Sequence, residues 1–187
     1  MKMKFSVLSA CMAIAFLSVA TFAFAQNYQP AGDKWIAKWW GPGLVIKTGG
    51  FANSAKIDYM SEGTGGKLTN ASVSTPQGVG RTKNTPLNLA SNGGNLPWKV
   101  ITIDPKDQNN MSTSHGLKDQ TDVTWHGVIA IISPNDRKTK IHPAHDDHAE
   151  IWLNGDKVYD NPAWTGAVDK VTKPTDVQLK KGENYLH

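Results

Sequence analysis

The chain has 187 residues, with 20 basic and 16 acidic side chains and a formal net charge of +4. So small an excess, with no Lys/Arg cluster, excludes an electrostatic nucleic-acid surface. The single cysteine, Cys11, excludes a disulfide framework, and its position in the leader leaves the rest of the chain without a thiolate nucleophile or thiolate zinc site.

The first 25 residues read as a secretory signal. Lys2 and Lys4 form a basic start, an uncharged apolar stretch follows, and Ala23-Phe24-Ala25 supplies the small-x-small pattern of signal cleavage, placing the cut before Gln26. The expected product is a secreted, periplasmic or cell-surface protein with no membrane span. Gln26 to His187 suits one domain and is long enough to bury a core. Losing Lys2 and Lys4 leaves 18 basic against 16 acidic residues.

Along the mature chain, no segment sustains the three-and-four spacing of a long amphipathic helix. Short apolar runs instead alternate with Gly, Asn, Pro, Asp and Ser. In order, "GLVIK" (43–47), "KVITID" (99–104), "VTWHGVIAIIS" (123–133), "AEIWLNGDKVYD" (149–160) and "TDVQLKKGENYL" (175–186) are predicted strands. Between the first two, Ser61 to Asn95 is rich in Gly, Asn, Thr and Ser and reads as solvated loops. Val128 to Ile132 is apolar at every position, the mark of a strand covered on both faces. Val177 and Leu179 alternate with polar residues, the mark of a strand with one wet face. Asn154-Gly155 between two β-favouring runs predicts a hairpin with a type I′ turn, which puts Ala149, Ile151 and Leu153 on the core side. Together these features predict an all-β fold, an antiparallel β-sandwich of jelly-roll type. The last strand is barely begun at His187, so the expected domain, 26–187, is a shortened one that lacks this strand.

Chemistry concentrates in "HPAHDDH", where His142, His145 and His148 surround Asp146 and Asp147. Imidazole with carboxylate suits zinc and related ions. Residues three apart on an extended strand face opposite ways, however, and no helical H-E-x-x-H pattern is present. A metal-dependent hydrolase would need the histidines to converge in a curled loop, with Glu150 cast as base. Of the tryptophans, Trp164 lies in a polar loop after the hairpin and is the best candidate for an exposed face that stacks on sugar rings. Trp39 and Trp40 are adjacent, so an extended segment is expected to turn one of them outward.

The run "HDDHAEIWLNGDKVYDN" followed by "VQLKKGENYL" resembles the ending of secreted jelly-roll modules. It is similar to the protective-antigen-type sugar-binding domains of adhesins and to sugar-binding domains attached to glycoside hydrolases. The resemblance covers about a quarter of the chain, from Ala144 to Leu186. It implies a non-catalytic carbohydrate-binding or adhesion-like module whose partner is a glycan or cell-surface polysaccharide. It further implies that Asp146 and Asp147 either hold calcium, a cation that takes six to eight oxygens, or hydrogen-bond the hairpin entry. His145 and His148, which flank the pair, depart from the family; with Trp164 and Asn161 they are the candidate ligand-binding residues read from this sequence itself. Two alternatives accompany it: a ligand-free structural module shortened from a larger surface protein, and the metal-dependent hydrolase.

Overall fold

The computed structural model describes residues 36–103, 111–117, 120–164, 169–170 and 174–187. The expected signal segment and Trp35 lie outside these residues. Chain order is β1 (Lys38–Gly41), β2 (Val45–Ile46), α1 (Phe51–Ser54), α2 (Tyr59–Thr64), α3 (Asn70–Val73), α4 (Pro76–Thr82), β3 (Leu87–Leu89), β4 (Gly94–Leu96) and β5 (Lys99–Thr102). There follow α5 (Met111–Ser114), β6 (Val123–Thr124), β7 (Ile129–Ser133), β8 (Arg137–Ile141), β9 (Ala144–His145), β10 (Ala149–Leu153), β11 (Asp156–Asn161), β12 (Asp169–Lys170), β13 (Thr175–Leu179) and β14 (Gly182–Leu186). The described residues are mostly strands in antiparallel sheets, with five short helices.

The central sheet has the order β11-β10-β14-β7. Beyond β7, Trp40 and Val128 exchange backbone hydrogen bonds at 3.0 and 2.8 Å, which joins the β1–β5 pair to the same edge. Each predicted strand is present, although "VTWHGVIAIIS" is broken into β6 and β7. β14, expected to be barely begun, lies between β10 and β7 and is paired on both sides. His187 continues the pairing, exchanging two backbone hydrogen bonds of 2.9 Å with Trp152.

Both faces of this sheet are covered. Val128 and Ala130 of the β7 run and Tyr185 of β14 point to one core, which they share with Met60, Leu68, Val73 and Leu87. The alternate residues Ile129 and Leu186 point to a second core with Leu153, Val177 and Leu179. From Val128 to Ile131 the apolar run thus reflects two covered faces, whereas Ile132, expected to be covered as well, is exposed; the alternation in β13 reflects one covered face. Double coverage also corrects the reading of Trp39 and Trp40: neither faces outward. Trp39 packs on the second core, whereas Trp40 packs on the first and donates its indole N–H to Thr82 Oγ1 at 2.8 Å.

The stretch 61–95 departs most from expectation. Instead of solvated loops it holds most of α2, all of α3 and α4 and the β3–β4 pair, and it supplies Leu68, Val73, Val79, Leu87 and Leu89 to the first core. These helices are four to seven residues long, too short for apolar periodicity to show, but each start is capped. Asp58 accepts from Ser61 N–H, Thr69 and Ser72 form a reciprocal capping box, and Thr75 accepts from Gly78 N–H just before Pro76. The helical layer fastens to the sheet at two points: Gly155 N–H donates to Ser74 Oγ at 2.9 Å, and the His187 ring donates to the Asn70 carbonyl, also at 2.9 Å.

Candidate functional site

The β10–β11 hairpin carries most of the residues singled out in the sequence. Asn154 and Gly155 have φ of 54° and 96°, the positive values a type I′ turn requires. Pairing runs Ala149 with Asn161, Glu150 with Asp160 and Ile151 with Tyr159, then shifts so that Trp152 opposes Lys157, leaving Val158 as an extra residue. Leu153 is buried and Ile151 packs on the second core, as the predicted stripe requires.

The turn is locked from beneath by a second asparagine. Asn184 of β14 has no exposed surface. Its carbonyl oxygen accepts from Asn154 Nδ2 at 2.9 Å and from Lys180 N–H at 2.8 Å. Its amide donates to the carbonyls of Lys180 at 2.8 Å and Gly182 at 3.1 Å, while Asn154 Oδ1 accepts from Tyr185 N–H at 3.0 Å. The two asparagines of "WLNG" and "KKGEN" therefore satisfy one another and the backbone around them. Their job is to join two turns, and no sequence-local signal separated Asn184 from an ordinary turn residue.

On the outer side, the structure distributes the "HPAHDDH" residues. His142 is exposed. His145, half-buried, donates from Nδ1 to the Asp147 carbonyl at 2.6 Å, which leaves Nε2 to accept from the Tyr159 hydroxyl at 2.7 Å. Both ring nitrogens are thereby engaged within the protein. Asp147 adopts φ 55°, a left-handed conformation that Asp tolerates better than most residues, and this turns the chain between β9 and β10. Asp146 is exposed beside it. Among the described residues, no third histidine or carboxylate donor gathers with this aspartate pair.

His148 takes part in a different group. Its Nε2 lies 3.4 Å from Asp160 Oδ1 and 4.0 Å from Glu150 Oε1, and the three ligand-type atoms fall within 4.8 Å of one another. One imidazole and two carboxylates form a donor set that suits transition metals better than calcium. The position between the carboxylates is taken, however: Lys157 Nζ lies 2.5 Å from Glu150 Oε1 and 3.1 Å from Asp160 Oδ2. The remaining Glu150 oxygen accepts from the Trp152 indole at 3.2 Å, and Lys157 lies 5.2 Å from the centre of that ring. The Glu150 hydrogen bond, outweighing partial burial, raises the Lys157 pKa above its ordinary value. Burial pushes Asp160 up, but Lys157 and His148 together bring it below the usual carboxylate range. A divalent ion at this group would first have to displace a protonated lysine.

Trp164 differs from every other described tryptophan. It is 69% exposed, whereas Trp98 is buried and Trp39, Trp40, Trp125 and Trp152 are half-buried. It stands just beyond β11, where Asn161 Oδ1 accepts from Ala163 N–H at 3.1 Å and fixes the turn through Pro162. The chain just beyond the hairpin thus offers a large aromatic face to water, three residues after Asn161. Elsewhere, an open cleft of about 380 Å³ is lined by Glu62, Lys67, Asn84, Thr85 and Asn88 and has no aromatic wall. Among the described residues no helix is long and apolar enough to cross a membrane. Compared with protein-family models, curated proteins and solved structures, the chain matches none.

Proposed function

We propose that the chain is an exported, non-catalytic glycan-binding or adhesion-like module of the jelly-roll sandwich type, with Trp164 as its stacking platform. The exposed indole of Trp164 carries this reading. An aromatic face in water loses unfavourable hydration when an apolar sugar face covers it, while polar groups at its rim orient the hydroxyls. Loops held on a rigid sheet suit such a surface. Asn161 is held in place by its own turn, and His148 and Asp160 border the same strand ends. His145 acts from behind, fixing Tyr159 and the loop rather than reaching outward. Calcium held by Asp146 and Asp147 remains an accessory in this proposal, with the rest of its oxygen shell drawn from water and glycan hydroxyls.

Native electrophoresis through gels containing soluble β-glucan, mannan, xylan or hyaluronan tests this, each run in calcium and in EDTA. Retardation in at least one gel, lost in Trp164→Ala, is expected. Unaltered mobility in every gel, or retardation indifferent to Trp164→Ala, overturns the proposal. A calcium requirement would assign Asp146 and Asp147 the accessory role.

A structural module without a ligand is the second reading, favoured by the Asn154–Asn184 lock: the residues that carry the resemblance are spent on holding the hairpin. The same gels separate the two.

A further inference from the structure

At the end of β14 lies a buried pair of histidines that the sequence pattern did not reveal. His187 Nδ1 faces the Asn70 carbonyl at 2.9 Å. A carbonyl only accepts, so Nδ1 carries the proton and Nε2 of His187 bears a lone pair. That lone pair faces His126 Nδ1 at 3.3 Å, with the rings stacked at a centroid distance of 5.4 Å. His126 Nδ1 must therefore be the donor, and its Nε2 is left as a bare acceptor. This last atom is buried and has no hydrogen-bonding partner among the described residues, and the Tyr59 ring meets the His126 ring edge-on at 6.3 Å.

The row Asn70–His187–His126 links the start of α3, the end of β14 and the start of the β7 run, and in this arrangement both rings are neutral. A proton arriving at His126 Nε2 creates an imidazolium in the first core. A proton arriving at His187 Nε2 reverses the contact and moves the His126 proton to Nε2, a buried position with no acceptor among the described residues. We propose that this row is an acid-sensitive latch, which fastens the end of β14 to the helical layer most firmly at neutral pH and weakens on acidification, because the opened form takes up the protons that the closed row refuses.

The surroundings support this. Burial lowers the pKa of His126 from its ordinary value to about 3, and the neighbouring His187 adds to the effect. Burial also lowers that of His187, although the Asn70 carbonyl and the charges of Asp58 and Glu150 act the other way. Facing the pair are Tyr59 from α2, Asp58 at the α2 start, the α3 carbonyl and Glu150 of β10; neither acid is hydrogen-bonded to a ring of the pair. Because the folded pKa lies below the unfolded one, the unfolded chain takes up protons first as pH falls. The latch's contribution is therefore full above about 6.5 and drains away below it, down to about 3 for His126.

Urea unfolding of the full chain between pH 7.5 and 4.5 tests this, with His126→Gln/His187→Gln as the reference. Glutamine at both positions keeps a donor and an acceptor in the row without a titrating ring. Titrations elsewhere, including that of His115, are common to both proteins and cancel. Relative to the variant, the parent's folding equilibrium is expected to fall roughly a hundredfold across this range from His126 alone. Parallel pH profiles would overturn the latch. Should the variant not fold, imidazole nitrogen resonances of the parent decide: His126 is expected to stay neutral and protonated on Nδ1 down to pH 4.5, and ordinary titration near 6.5 would be the contrary result. Amide exchange supplies the local readout, with the Trp152 and His187 N–H groups opening on acidification ahead of those in β7. Uniform opening along the sheet would count against a latch.

Discussion

Two polar clusters belong to the same hairpin, one of neutral amides and one of ionisable groups, and they behave differently. Beneath the turn, Asn154 and Asn184 are neutral, and Asn184 is fully buried with its carbonyl and amide engaged. Outside it, His148, Glu150, Lys157 and Asp160 are charged or chargeable, and their side chains are 18% to 44% exposed. Buried hydrogen bonds are costly to break because the survivor is left unsatisfied. Partly exposed ion pairs are screened and exchange readily for water. Burial and residue type together therefore decide which cluster holds the fold and which is free to meet a ligand.

Substitutions on the two sides should differ accordingly. The largest effect is expected from Asn184→Ala, which orphans Asn154 Nδ2 and Lys180 N–H and unpairs two carbonyls. A loss of about 3–5 kcal/mol, or a drop of about 10 °C in melting midpoint, should appear in thermal unfolding. A loss below about 1 kcal/mol would erase the contrast with the outer cluster. Next comes Gly155→Ala. The added methyl meets only Thr75 Cγ2, at 3.5 Å, but φ of 96° is strained for any L side chain. A cost of about 1–2 kcal/mol in urea unfolding is expected. Lys157→Met ranks lower, at no more than about 1 kcal/mol, and high salt should shrink the difference between variant and parent. Trp164→Ala is expected to change stability by less than about 0.5 kcal/mol, because its ring is already in water.

The fold was legible where it rests on strands. Apolar runs located β2, β5, β7, β10, β11 and β13 and only the end of β14, and Asn154-Gly155 located the turn, because alternation and turn geometry are local properties. Ser61 to Asn95 was misread because helices of one or two turns show no period, although Asp58, Thr69 and Thr75-Pro76 carried capping signals that periodicity ignores. Trp39 and Trp40 were misread because one covered face was assumed where there are two. Of the site, exposed Trp164 was legible from its polar context. The grouping of His148 with Asp160 was not, since it depends on cross-strand register. Nor was the His126–His187 pair, whose members are 61 positions apart and meet only when β14 lies beside β7.

The most direct measurement is a pull-down on insoluble polysaccharides comparing the parent, Trp164→Ala and Lys157→Met. Retention of the parent and of Lys157→Met, with at least a tenfold loss for Trp164→Ala, is the result expected if the exposed indole is the platform and the ion group only braces the hairpin. Equal retention of Trp164→Ala, or no retention of the parent on any polysaccharide, would contradict it.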